Sequence, residues 1–319
     1  MRLVITMPVR DDWESALQLC SRIDSVLHRE SIRGMILLVD DGSATSAAQK
    51  TIPTGPQALD NISVLELRRN LGHQRAIGVA LAHLHACHQG DAIVVMDADG
   101  EDSPEDIPKL LKGAREATRA TAVFAERGKR LENATFRAFY QAYRVLHHLL
   151  TGRDIRFGNF SFVPWPYLDT LVVFPELWSH YAGTFLKSGL PLVRIPCDRG
   201  KRLAGRSQMS FVNLVMHGLS GLFVNQEVVG TRLLIMILLA TVAIFTGLCA
   251  VVGVKLFTQL AIPGWATSVT GLLLVLLSQA LIAAFVLVFS ITMNRTQLGY
   301  LPIRDYKYFI RRETCLFHR

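Results

Sequence analysis

The sequence predicts an α/β protein, a doubly wound and mainly parallel sheet followed by a hairpin of two transmembrane helices. Three observations carry that expectation. Short apolar runs alternate with helical patterns through the first half of the 319 residues, polar clusters fall where those runs end, and the last third holds two long uncharged stretches.

LVITMPV reads as a first strand and not as a charged-then-apolar leader, with a helix to follow near Trp13–His28. MILLVD is a second strand, and ISVLEL is a third that leads into a helix near Gln74–His88. AIVVMD is a fourth, followed by a helix near Pro104–Ala117, and TAVFAE is a further strand. Continuous apolar runs, rather than alternating ones, are expected of parallel strands covered on both faces. TIPTGPQALDN (51–61) reads as a loop from its Pro and Gly content. Open α/β sheets bind ligands beyond the carboxyl ends of their strands. Pro8–Asp12, Asp40-Asp41-Gly42-Ser43, Arg68-Arg69-Asn70 and Asp97-Ala98-Asp99 all fall at such ends, so one rim is expected to form a binding cleft.

Leu233–Val254 is 22 consecutive residues without a charge, and Ala266–Met293 is 28. At about 1.5 Å rise per residue, either run crosses a hydrocarbon core of about 30 Å. The link Lys255–Trp265 is only 11 residues, which makes an antiparallel hairpin. The expected organisation is a globular domain over 1–208, an amphipathic juxtamembrane segment over 209–231, membrane helices within 232–293 and a basic tail over 294–319.

The formal net charge is +8, and residues from 231 onward carry +6 of it. A basic excess that follows the membrane points to anionic lipid headgroups and away from nucleic acid. By the positive-inside rule, the tail and the globular domain are expected on the cytoplasmic face of the inner membrane. Five scattered cysteines without CxxC spacing argue against a disulfide framework or a zinc site and fit a reducing cytosol.

In VVMDADGEDSPED, six carboxylates fall within ten residues: Asp97, Asp99, Glu101, Asp102, Glu105 and Asp106. Ser103, Glu105 and Asp106 are suited to start the following helix. Asp97 and Asp99, leaving a strand at i and i+2, can instead present oxygens to one hard cation, Mg²⁺ or Mn²⁺. A haloacid-dehalogenase-type phosphatase or a response-regulator receiver fits less well. The DxD follows the fourth strand and precedes Gly100, and receivers are small soluble modules. His83, His85, Cys87 and His88 do not share a helical face at ligand spacing, so a solvated face is expected there.

TMPVRDDWESA, LLVDDGSATSA, LELRRNLGHQRAIGVAL, VVMDADGEDSPEDIPKLL and RGKRLAGRSQMSF occur in order between about Leu3 and Gly221. Together with the hairpin they resemble family 2 glycosyltransferases of GT-A (Rossmann-like) fold. The polyprenyl-phosphate branch, which includes dolichol-phosphate mannose synthases, is the most similar. The resemblance implies an inverting transfer of one sugar from a UDP- or GDP-sugar to a polyprenyl phosphate, with Mg²⁺ or Mn²⁺. Pro8, Val9 and Asp12 would line the base and ribose pocket, Asp41 with Asp40 would accept from the base, and Asn70, Leu71, Gly72, His73 and Gln74 would cover the nucleotide near the ribose. Asp97 would face ribose or sugar, Asp99 would hold the metal, and Arg199, Arg202 and Ser207 would meet phosphate. Lys201 and Arg206 read better as an interfacial patch.

Two departures bear on the acceptor. Relatives often carry an acid where FGNFSF has Asn159, and GESK where this chain reads GRSQ. An amide takes no proton at neutral pH, but a lipid phosphate, with a second pKa of about 6, needs no base. Asn159 could then orient it. A hydroxyl acceptor would want a base, for which His180 and Glu176 are candidates beside their reading as ordinary polar residues. Alternatives are a hydroxyl acceptor on another lipid or saccharide, and a non-catalytic scaffold that binds nucleotide sugar. VFPELW is not the QxxRW-type motif of processive synthases, so single transfer is expected. Spanning hairpins could also associate into a homo-oligomer.

Overall fold

The computed structural model describes residues 1–45, 55–127, 141, 145–152, 157–198, 200, 202–203, 220–222, 224–258, 264–296 and 299–319. The chain divides into two compact units, Met1–Phe139 with Asp154–Val224 and Gly299–Arg319, and Tyr140–Arg153 with Asn225–Leu298.

In the first unit the expected elements form in the expected order: β1 (Arg2–Val9), α1 (Trp13–Arg29), β2 (Arg33–Asp40), β3 (Leu59–Leu67), α2 (His73–Cys87), β4 (Ala92–Val95), α3 (Ile107–Glu116) and β5 (Ala122–Arg127). The strand β3 begins at Leu59, inside the stretch expected as a loop. Further on come β6 (Ser161–Pro164), α4 (Tyr167–Leu171), α5 (Tyr181–Ser188) and β7 (Leu192–Cys197). All the strands join one sheet in the order β7-β5-β6-β4-β1-β2-β3-β8, where β8 is Ile310–His318. The centre β4-β1-β2-β3 is parallel. The pair β5-β7 is parallel too, while β6 runs antiparallel to β4 and β5 and β8 antiparallel to β3, so the mainly parallel sheet expected carries antiparallel members.

Period-2 geometry splits β1 between two cores. Leu3, Ile5, Met7 and Val9 pack with α1 and α3, whereas Val4 packs with α2. The helix α1 earns its place through Trp13, Ala16, Cys20, Ile23 and Leu27, apolar at i, i+3 and i+4 spacing and all buried. Burying each large side chain stabilises by about 1.5–3 kcal/mol. Covered on both faces, the sheet leaves its carboxyl rim to carry polar loops.

The stretch expected as a basic tail folds into this first unit. The short helix Pro302–Asp305 precedes β8, which pairs with β3 from Asn61↔His318 to Leu67↔Ile310. Arg312 reaches Glu66 at 2.8 Å, a cross-strand neighbour.

The second unit holds two 32-residue helices, Gln226–Phe257 and Trp265–Thr296. Both are long and apolar enough to cross a membrane. Their large side chains face outward all round: Leu239, Phe245 and Phe285 are 64%, 61% and 71% exposed. A helix apolar on nearly every face suits an apolar surrounding, in keeping with the expected membrane hairpin. Hydroxyls along these helices bond back into the helix, Thr246 to Val242 and Ser290 to Val286, each through a backbone carbonyl.

Candidate active site

Carboxylates tie the loops after β1, β2 and β3 together. Asp11, held at φ 57°, accepts from the Ala44 amide at 2.7 Å, and its own amide donates to Ser43 Oγ at 2.9 Å. Asp40 accepts from the Ser43 amide at 2.8 Å. Asp41 is buried and accepts from the Leu71 amide at 2.6 Å and the Gly72 amide at 2.9 Å, one on each oxygen. Asn70 Oδ1 also accepts from the Gly72 amide. Burial raises the Asp41 pKa against the opposing pull of those two amides, Arg10 and His73. The chain can approach this closely because residue 42 is glycine: at φ +71° a Cβ there would lie 2.7 Å from the Asn70 nitrogen.

The acidic loop after β4 is joined to the basic stretch around residue 202 by backbone. The Gly200 amide donates to the Glu101 carbonyl at 2.8 Å, and the Leu203 amide to the Asp99 carbonyl at 3.0 Å. A Cβ on Gly200 would sit 2.5 Å from the Gly100 carbonyl oxygen, so glycine is what the approach requires. Arg202, thus positioned, places Nη2 2.5 Å from Asp12 Oδ2 and Nη1 3.4 Å from Asp99 Oδ2. Asp99 Oδ1 accepts from the Glu101 amide, and the Asp97 amide donates to Asp102. Burial raises the Asp99 pKa; Asp97 and Glu101 push the same way, against the Glu101 amide and Arg202.

The second acid of the pair sits in a different network. Asp97 Oδ1 is 3.0 Å from His73 Nε2 and 3.4 Å from the Asn159 amide nitrogen, which is 2.8 Å from the same ring nitrogen. Gln74 donates to Asn159 Oδ1 at 3.1 Å and accepts from the Tyr181 amide at 2.7 Å. Desolvation disfavours the His73 imidazolium, but Asp97, with Asp102 and Asp99 behind it, outweighs that and raises the pKa.

Asp12, Asp40, Asp41, Asn70, Gly72, Gln74, Asp97, Asp99, Asn159 and Arg202 thus meet on one rim through the bonds given above. Pro8 and Val9 lie at the carboxyl end of β1 with buried side chains, Val9 within the core. His180 is buried, and its Nδ1 accepts from the Gly183 amide at 3.0 Å, capping α5. Glu176 pairs with Lys187 at 2.5 Å. Arg199, Lys201, Arg206 and Ser207 lie outside the described residues, as does most of the amphipathic segment. Ser103 does not cap with its side chain as expected; its hydroxyl donates to Glu105, which binds Arg22 at 2.6 Å. Sequence reasoning placed Asp11 in the Pro8–Asp12 cluster and His73 in the run expected over the nucleotide, but foresaw neither the positive φ of Asp11 nor the contact of His73 with Asp97.

The expectation of a solvated face at the end of α2 is wrong for His83, which is buried against Glu313. The helix ends at Cys87, so helical spacing does not govern His88.

The family model for glycosyl transferase family 2 matches residues 5–166. The undecaprenyl-phosphate 4-deoxy-4-formamido-L-arabinose transferase of Salmonella choleraesuis is 27% identical over 223 residues, which cover 67% of this chain and 64% of that protein. The match therefore spans less than two thirds of the relative's length. Among solved structures, mannosyl-3-phosphoglycerate synthase from Rubrobacter xylanophilus gives a TM-score of 0.46 at 15% identity, covering 83% of this chain and 78% of that one. Glucosyl-3-phosphoglycerate synthase from Mycobacterium tuberculosis, in complex with Mn²⁺, UDP-glucose and phosphoglyceric acid, gives 0.47 at 15%, covering 72% and 80%.

Proposed function

The chain belongs to glycosyl transferase family 2, and from that premise we propose an inverting, membrane-anchored glycosyltransferase. It would move one sugar from a UDP- or GDP-sugar to a polyprenyl phosphate at the cytoplasmic face of the membrane. The observation that carries this reading is the Arg202 guanidinium lying between Asp12 and Asp99. A planar cation able to bind phosphate bidentately stands beside an oxygen-only acid pair, the two things a diphosphate and its counter-ion need side by side.

Asp99, with Asp97, would hold Mg²⁺ or Mn²⁺. The donor set is hard, and the raised pKa of Asp99 marks a carboxylate whose ionised form gains from a nearby positive charge. Bound there, the ion would neutralise charge on the departing nucleoside diphosphate. Arg202 would bind a diphosphate oxygen, and Arg199 and Ser207 would add to that contact. The loops sewn by Asp11, Asp40 and Asp41 would hold the nucleoside over Pro8 and Val9, with Asp12, Asn70, Gly72 and Gln74 around it.

An ionised phosphate acceptor needs no base, which suits the residues present. His180 spends Nδ1 on a helix cap and Glu176 is paired with Lys187. His73 Nε2 is already engaged by Asp97 and Asn159. Asn159 would orient the acceptor through its amide. The name of the Salmonella relatives supports a polyprenyl phosphate acceptor, and two exposed apolar helices would keep the enzyme where such a lipid resides. The cationic residues after the second helix support a cytoplasmic placement.

The test is transfer of isotope-labelled sugar into a lipid extract. Wild type should label lipid in a metal-dependent way, Asp99→Ala should not, and mild acid should release the label as expected of a polyprenyl phosphodiester. Acid-stable label would mean a glycoside, and with it a hydroxyl acceptor.

A further inference from the structure

We infer that His83, His88 and Glu313 form a second metal site, suited to a borderline ion such as Zn²⁺ and separate from the Asp97–Asp99 pair. His83 Nε2 lies 2.9 Å from Glu313 Oε2, and His88 Nε2 lies 3.6 Å from Glu313 Oε1. One ligand atom from each of the three residues falls within 4.8 Å of the others, and among the described residues this is the one such group. Tetrahedral zinc with ligands at about 2.0–2.1 Å holds those ligands about 3.3 Å apart. The two measured separations, one to each Glu313 oxygen, bracket that value, and all three ligand atoms lie within 4.8 Å of one another.

A second observation points the same way. His88 Nε2 is buried and has no hydrogen-bond partner, the Glu313 oxygen being beyond bonding distance. An orphaned polar atom costs about 1–3 kcal/mol, and a coordinated ion removes that cost. The surroundings complete a suitable shell. His83 is buried, its ring stands edge-on to His88 with centroids 5.5 Å apart, and the Tyr306 ring lies tilted to it at 6.1 Å. The Glu313 side chain remains 29% exposed, which leaves a path for the ion and room for water as fourth ligand.

Chemistry separates the two sites. Two imidazoles and one carboxylate favour Zn²⁺ over Mg²⁺, whereas the rim acids are oxygen-only. Position assigns the role: Glu313 stands on the edge strand β8, and the histidines at the end of the helix whose other end carries His73 and Gln74. The ion would pin the edge strand to that helix. This site is independent of the transfer reaction.

Full-length protein in detergent, stripped with chelator and dialysed against buffered Zn²⁺, tests it by metal analysis and by thermal unfolding. Wild type and Asp99→Ala should each retain one zinc per chain and unfold at higher temperature with it. His88→Ala and Glu313→Gln should lose retention by at least ~10-fold and lose the thermal shift, while His88→Cys, which keeps a ligand, should restore both. Co²⁺ in place of zinc should give visible absorption bands that disappear in His88→Ala. Equal zinc retention in wild type and His88→Ala, or none in wild type, would overturn the assignment.

Discussion

Arg202 and Asp99 are joined twice, once through the guanidinium at 3.4 Å and once through the backbone, because the next residue, Leu203, donates its amide to the Asp99 carbonyl. The basic stretch cannot shift without moving the acidic loop. Arg202 and Asp99 are therefore held together by side chain and backbone alike.

Arg202→Ala should lower kcat/KM by about 100-fold, the equivalent of roughly 3 kcal/mol for charge-assisted hydrogen bonds lost from a desolvated site. Arg202→Lys should rescue little of it, since an ammonium does not reproduce a planar fork. Steady-state kinetics over donor concentration checks both. Full activity in Arg202→Ala would remove the guanidinium from the account.

Gly200→Ala drives a Cβ to 2.5 Å from the Gly100 carbonyl oxygen, an approach backbone must yield to. The expected cost is about 1–3 kcal/mol of stability. The more telling readout is a rise in KM for both donor and divalent ion, since the basic and acidic loops part together. Unchanged KM values for both would show that the loops act separately.

Asp41 should behave as a structural acid. Removing it in Asp41→Ala orphans the Leu71 and Gly72 amides, at roughly 2–4 kcal/mol for two buried donors. Its folded pKa is raised from 3.8, so its contribution is complete below that value and is lost as pH rises through the folded pKa. Wild type should accordingly lose stability relative to Asp41→Asn as pH rises from 3.8 toward neutrality, read as the difference in unfolding temperature across a pH series. Wild type gaining stability relative to Asp41→Asn as pH rises would contradict the sign.

An arginine in the lipid-facing wall of the second long helix should oppose insertion. Ile282 is 62% exposed near its middle, and Ile282→Arg should cost about 3 kcal/mol on insertion scales. The fraction of protein resisting carbonate extraction should fall sharply. Release of wild type by carbonate would refute the membrane reading of these helices.

What the sequence revealed, and what it hid, follows from where each element lies in the sheet. The buried parallel strands, with α1 and α2, announce themselves as apolar runs between helical patterns. The two edge strands do not: β7 carries Arg194 and Pro196, and β8 reads IRRETCLFH. Edges are half solvated and tolerate charge and proline, so hydrophobic pattern fades there. The strand β6 has only four residues and is set by its antiparallel neighbours. The rim acids were legible because strand ends locate them. The Arg202–Asp12 pair was not, and neither was His83 with Glu313, because each joins residues distant in sequence through contacts that no local pattern encodes.

The most direct test of the central claim is the mass of the lipid product. Detergent-solubilised protein would be incubated with Mn²⁺, polyprenyl phosphate and a panel of UDP- and GDP-sugars, and the lipid fraction weighed by mass spectrometry. The account predicts a gain of one sugar on the polyprenyl phosphate, from one donor, with release of the matching nucleoside diphosphate. Donor binding with neither lipid gain nor diphosphate release would contradict it and leave a protein that holds nucleotide sugar without transferring it.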